Sequence, residues 1–329
     1  MEKPDLSVQY MGLTLRNPII VSSSSLTDSL EGVRKCWEAG AGAVVLKSLF
    51  EEQIAHETEE AESSYNLPNH PEAGEYVQQM GMRLGPERYL SLIKEIKDSL
   101  PVPLIASVNS ISTKYWLSYA KQISRAGADA LEINISMMPR RKDYGYGEIE
   151  NRFVRIVDRV RSEIDIPIAV KIGPYFTLLP LLAEKLRQAG ASALVLFNRF
   201  YQLDIDISGE KLKPGYQFSD PEEIYLPLRW ISILYEQTGC DLSGSTGIHD
   251  GPGLVKMLLA GAKAVQICST VYKNSHGRIS EMEEFLEDWM TRKGYAAVPE
   301  FRGKVSQIES REPEKYERLQ YIKALTGLS

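Results

Sequence analysis

One tripeptide recurs four times along the chain, each time after a helical pattern and before a short apolar run. It reads Ala39-Gly40-Ala41 before residues 43–48, Ala126-Gly127-Ala128 before 130–136, Ala189-Gly190-Ala191 before 193–198, and Ala260-Gly261-Ala262 before 264–269. Glycine reaches the left-handed conformation that closes a helix, and small flanking residues let a strand start hard against it. The runs that follow are rich in Val, Ile and Leu, as parallel strands buried on both faces are.

Four further apolar runs lie between these units, at 18–24, 103–109, 168–173 and 241–245. Helical periodicity fills the gaps over 26–39, 87–100, 114–126, 149–164, 178–189, 221–237, 252–260 and 280–292. Eight strands alternating with eight helices predict one α/β domain over residues 1–329, a (β/α)8 TIM barrel. Two connections are long, from Phe50 to about Gly85 after the second strand and from Arg199 to Asp220 after the sixth. Both leave the strand ends where barrel active sites are built. A doubly wound sheet is the competing arrangement, but no G-x-G-x-x-G follows the first strand.

A chain of 329 residues, 43% of them hydrophobic, buries roughly 75% of its unfolded surface without a disulfide or metal staple. The net charge of -6 argues against nucleic acid as a partner. The acidic run Glu57 to Glu60 reads as solvated surface. No stretch approaches 18 uninterrupted apolar residues, and Met1 to Asp5 does not open a signal peptide. Cys36, Cys240 and Cys268 are too scattered for a disulfide framework or a C-x-x-C site. A soluble, cytoplasmic protein with reduced thiols is expected.

The strand ends are unusually polar. They hold Ser22 to Ser25, Lys47-Ser48, Asn109, Asn134, Ser136, Lys171, Asn198, Gly244-Ser245-Thr246-Gly247 and Cys268-Ser269-Thr270. A charged or amide group there needs a partner, since burying it alone is costly. One lysine alone could simply pair with a carboxylate inside the rim; two lysines with three asparagines point to a ligand. The Gly- and Ser-rich ends of strands seven and eight suit a phosphate, which barrels of this kind bind there through backbone amides.

With these residues laid out, the sequence resembles the dihydroorotate dehydrogenase family, class 1 branch, over nearly its whole length. The likeness runs through Gly12 to Ile19, Leu46 to Ser48, Gln79 to Gly81, Asn134 to Ser136, Val170 to Phe176, Ser245 to Ile248, Lys293 to Tyr295 and Phe301 to Lys304. It implies FMN across the barrel mouth, its phosphate on Gly244, Thr246, Gly247, Cys268 and Ser269. Ser22 and Ser23 would pass beneath the ring system, with Ser48 and Phe197 alongside. Lys47, Asn109, Asn134 and Lys171 would bond the isoalloxazine or ribityl parts, the Lys171 cation favouring hydride acceptance. The same likeness implies a small-molecule substrate held by Lys47, Gln78, Met80, Gly81, Asn134, Arg140 and Asn198, and it implies a homodimer. NAD-linked members use a separate electron-acceptor protein.

One departure bears on the chemistry. The family places a Cys or Ser base after Asn-Leu-Ser, where this chain reads Asn134-Ile135-Ser136-Met137-Met138-Pro139-Arg140-Arg141. A methionine, Met137 or Met138, stands at the base position, and a thioether accepts no proton. Arg140, Arg141 and Arg199 suit an extra carboxylate or phosphate, and Tyr144, Tyr146 or Tyr201 is a substitute acid. Three functions are open: an FMN-dependent oxidation of dihydroorotate to orotate or of a related anion, an FMN-binding member that has lost that turnover, and a flavin-free phosphate-binding barrel such as a Schiff-base aldolase.

Overall fold

The computed structural model describes residues 3–50, 86–110, 116–135, 137, 145–199, 202–215, 217–308, 318, 321–322 and 325–326. A short antiparallel hairpin of β1 (Val8–Tyr10) and β2 (Leu13–Leu15) opens the chain. The repeating part then runs through β3 (Ile19–Val21), α1 (Leu30–Glu38), β4 (Ala43–Val45), β5 (Leu49–Phe50) and α2 (Pro86–Ser99). It continues with β6 (Leu104–Ser110), α3 (Trp116–Arg125), β7 (Ala130–Ile135), α4 (Glu148–Arg161), β8 (Ile168–Ile172), α5 (Leu179–Gln188) and β9 (Ala193–Leu196). After a hairpin of β10 (Gln202–Asp206) and β11 (Lys211–Gly215) come α6 (Tyr225–Leu234), β12 (Asp241–Ser245), α7 (Gly251–Ala260) and β13 (Ala264–Ile267). The helices α8 (Ser269–Asn274) and α9 (Gly277–Lys293) follow.

Parallel pairing runs β4-β3-β13-β12-β9-β8-β7-β6, and β6 pairs back onto β4, so the sheet closes into the eight-stranded barrel that the repeat predicted. The second predicted strand is interrupted: β4 and β5 both pair with β6, and Leu46 to Ser48 lie between them. All four repeat glycines have positive φ, from 101° to 123°. At three of them the second alanine donates back to the helix, from Ala41, Ala191 and Ala262 to Cys36, Leu186 and Met257. These bonds absorb carbonyls that the helix end would leave unpaired.

Three expectations change. The connection after the sixth strand is not a plain loop over 202–215, because β10 and β11 pair in register from Gln202↔Gly215 to Asp206↔Lys211. The predicted helix over 221–237 divides into a 3-10 turn, Pro221–Ile224, and α6. The short α8 was not foreseen, since six residues carry too little periodicity to read. The other long connection, 51–85, lies outside the described residues. Among the described residues no helix is long and apolar enough to cross a membrane.

The N-terminal hairpin shuts the base of the barrel. The Met11 N–H donates to Asp241 at the first residue of β12 (2.7 Å), and Tyr10 is fully buried. Strand starts therefore lie under the hairpin, and strand ends open on the opposite face.

Candidate active site

Polar side chains occupy the upper interior because strand register aligns them. Asn109 of β6 pairs with Asn134 of β7, which pairs with Lys171 of β8. One layer lower, Ser107 pairs with Glu132. Alternation along a strand puts Glu132 and Asn134 on the same, inward face.

An open cleft lies above this layer. Ser22, Ser23, Lys171 and Gln266 line its floor, Asn198 and Arg199 one side, and Ser245 to Ile248 with Cys268, Ser269 and Ser219 the other. Lys171 is 6% exposed. Its Nζ donates to Ser22 Oγ (3.0 Å) and Gln266 Oε1 (3.0 Å), and stands 3.8 Å from Glu132 Oε1. The rim-carboxylate reading is thus partly met: Lys171 has a carboxylate neighbour, but its hydrogen bonds go to neutral groups. Asn198 Nδ2 donates to Asn134 Oδ1 (3.0 Å), orienting both amides.

The Thr246 and Gly247 backbone turns through φ of 81° and 76°, and Thr246 Oγ1 donates to Phe197 O (3.1 Å). Beside this wall the Ser219 N–H donates to Ser269 Oγ (3.0 Å), while Ser219 Oγ meets His249 Nε2 (3.0 Å). Burial, with Lys273 nearby, lowers the His249 pKa. Burial raises the thiol of Cys268, against a smaller pull down from Ser24 and Lys171.

Of the residues predicted to hold a cofactor, Ser22, Ser23, Lys171, Thr246, Gly247, Cys268 and Ser269 share this cleft. Ser48 sits at its edge, tied to Ser23 Oγ (3.0 Å) and Ser107 Oγ (2.7 Å). Lys47 is 3.9 Å from Asp28, and neither it nor Asn109 is on the cleft's described lining. Two more of them are not on the described lining. Gly244 faces outward, with Met257 Sδ 2.9 Å from where a Cβ would stand. Phe197 is buried, 3% exposed, and its carbonyl accepts from Thr246 Oγ1. Of the substrate set, Asn198 lines the cleft and Asn134 touches it through Asn198; Gln78, Met80, Gly81 and Arg140 lie outside the described residues, as do Met138, Ser136 and Arg141. Met137 is half-buried and packs on the hydrophobic core. Arg199 is engaged by Glu223 (3.0 Å) and the Gln217 carbonyl. Tyr146 is fully exposed, away from the cleft lining, and Tyr144 and Tyr201 are outside the described residues.

Glu132, Gln266 and Ser219 escaped the sequence reading as site residues, whereas Ser245 belonged to the strand end read as a phosphate site. The first two had a signal, a polar residue inside an otherwise apolar strand.

FMN fits this donor set. A buried ammonium lies on the floor, hydroxyls and a glycine turn form one wall, and paired amides face them. Against known proteins, residues 5–290 match the family described as dihydroorotate dehydrogenase. The chain is 28% identical over 313 residues to the catalytic subunit of dihydroorotate dehydrogenase B (NAD(+)) from Pyrococcus furiosus, covering 92% of this chain and 99% of that one. It is 28% identical over 272 residues to a putative dihydroorotate dehydrogenase A (fumarate) from Aeropyrum pernix, covering 80% and 86%. The crystal structure of the Eimeria tenella enzyme with ferulenol superposes with a TM-score of 0.65 at 17% identity, over 91% of this chain and 88% of that one. That last likeness speaks for the fold alone.

Proposed function

The chain belongs to the dihydroorotate dehydrogenase family, and from that premise we propose that it is an FMN-dependent oxidoreductase acting on a CH–CH bond of dihydroorotate or a related cyclic anion. The observation that carries this reading is Lys171, a buried cation on the floor of a cleft whose far wall is the Thr246-Gly247 and Cys268-Ser269 turns. FMN held there would supply a two-electron acceptor, and the fixed positive charge of Lys171 would favour the negative charge that hydride acceptance brings.

The protein's own part is binding and orientation. Ser22 and Gln266 hold Lys171 in place through two hydrogen bonds. The Asn198–Asn134 bond leaves an amide NH2 on Asn134 and a carbonyl on Asn198 to meet a ring edge. Lys47 is the cation for a substrate carboxylate, with Asp28 limiting how far it swings. On this reading proton removal is the step without a family-type group, because a methionine, Met137 or Met138, occupies the base position and a thioether accepts no proton. That observation favours a second reading, a flavin-binding family member that does not turn over dihydroorotate. The aldolase reading is disfavoured by the match of residues 5–290 to the dihydroorotate dehydrogenase family. A separate electron-acceptor subunit accords with the "catalytic subunit" in the relatives' names, and a homodimer is proposed with it.

An anaerobic visible spectrum before and after dihydroorotate tests the proposal. Bleaching of a flavin band shows turnover without a Cys or Ser base. A band that stays yellow supports the second reading, and a colourless protein that takes up no FMN overturns both.

A further inference from the structure

We propose that Glu132 is a positioning residue that acts through Gln266 to offset part of the charge Lys171 presents at the cleft floor, holding the reduction potential of bound FMN below the value Lys171 alone would give; this rests on the proposed function. Glu132 has no exposed surface, and it sits on β7 two residues before Asn134. Its Oε2 accepts from Gln266 Nε2 at 2.5 Å. An amide committed to a carboxylate at its NH2 end must turn its oxygen the other way, and Gln266 Oε1 indeed accepts from Lys171 (3.0 Å) and from Ser22 Oγ (3.1 Å). The remaining Glu132 oxygen makes no hydrogen bond among the described residues and stands 3.8 Å from Lys171 Nζ.

Folding gives little reason for this arrangement. A buried ion pair rarely stabilises a core more than apolar residues of equal volume. A carboxylate serving only as the counter-ion would bond the ammonium directly. Here the two charges approach to 3.8 Å, beyond a hydrogen bond, while a neutral amide bonds to both, so the carboxylate offsets the ammonium by Coulomb attraction without taking one of its hydrogen bonds. Gln266 also ties Ser22, a cleft-floor residue, to the same carboxylate. The device therefore fixes both the position and the effective charge of the Lys171 ammonium at the cleft floor.

The test is a redox titration of the FMN-loaded protein against a reference dye, with Glu132→Gln and Gln266→Met beside the wild type. Glu132→Gln keeps the shape and deletes the charge. Its flavin should become easier to reduce, the equilibrium with the dye shifting on the order of tenfold toward reduced flavin. Gln266→Met removes the amide between the charges, leaving Lys171 as the nearest partner of the carboxylate, so its flavin should become harder to reduce. Loss of packing alone has no reason to produce shifts of opposite sign. Unchanged potentials in both variants, or shifts of the same sign, overturn the inference while the wild type still holds flavin. Should Glu132→Gln not fold, the direction of the Gln266→Met shift decides. A wild type that takes up no FMN overturns the proposed function and this inference with it.

Discussion

Lys171 and Glu132 are, respectively, 6% and 0% exposed, so neither charge is screened by bulk water. Removing one partner of such a pair strands the other, which costs about 3–5 kcal/mol, whereas removing both costs much less. Lys171→Ala should therefore destabilise the protein by about that amount and loosen FMN by roughly 10- to 100-fold through loss of a charged hydrogen bond. Adding Glu132→Gln should recover part of the stability and none of the affinity; denaturant unfolding and FMN titration of the single and double variants read the two effects apart. Lys171 was visible in the sequence because a charge at the end of an apolar strand demands an explanation. Glu132 obeys the same rule but was passed over, since its meaning lies in Gln266, 134 residues away and across the barrel. Alternation tells which face a residue takes, not what it meets there. Lys47 shows the reverse: its place at a strand end was legible, while its neighbour Asp28 was not.

At the scale of elements, the turn after β12 binds the cleft wall to the 3-10 turn at Pro221–Ile224. A Cβ on Gly247, at φ +76°, would stand 2.1 Å from Ile224 N and 2.6 Å from Glu223 C. Gly247→Ala should cost more than the ~1–2 kcal/mol of left-handed strain alone and weaken FMN retention. Gly12→Ala, at φ +78° with open space around it, should cost only the strain; chemical denaturation of both variants separates clash from strain. His249 joins the same wall to Ser219, and Lys273 holds the Ser219 carbonyl and Asp220. Its folded pKa is lowered from 6.5, chiefly by burial. The unfolded state then binds the extra proton first, so this contribution to stability is intact above 6.5 and is lost as pH falls through the lower folded value. Melting temperatures between pH 7.5 and 5 should fall more steeply for the wild type than for His249→Asn; parallel curves would remove His249 from the acid response. The repeat glycines were readable because one conformation ends all four helices. The β10–β11 hairpin was not, although Leu203, Ile205 and Ile207 alternate with Asp204 and Asp206. Its apolar residues remain exposed, and alternation is normally taken to mark a buried face.

Across the whole molecule, the barrel is open for chemistry at one end and sealed at the other, and Tyr10 belongs to the seal. Its ring is fully buried beneath the interior polar layer. Burial first, then the Glu132 carboxylate, pushes its hydroxyl far above the usual tyrosine range. That hydroxyl lies near the buried Ser243 Oγ, but neither reaches full hydrogen-bond geometry with a partner among the described residues. If the ring fills space and the hydroxyl does nothing further, volume and polarity separate cleanly. Tyr10→Ala should cost about 3–5 kcal/mol, as large aromatic truncations in cores do. Tyr10→Phe should be neutral or slightly stabilising, because it deletes a buried group with no partner to lose. Equilibrium unfolding of both variants is the measurement. A loss above about 1 kcal/mol in the phenylalanine variant would instead mean that the hydroxyl pairs with Ser243, and the seal would then extend the polar network that begins at Lys171 down to the base of the barrel.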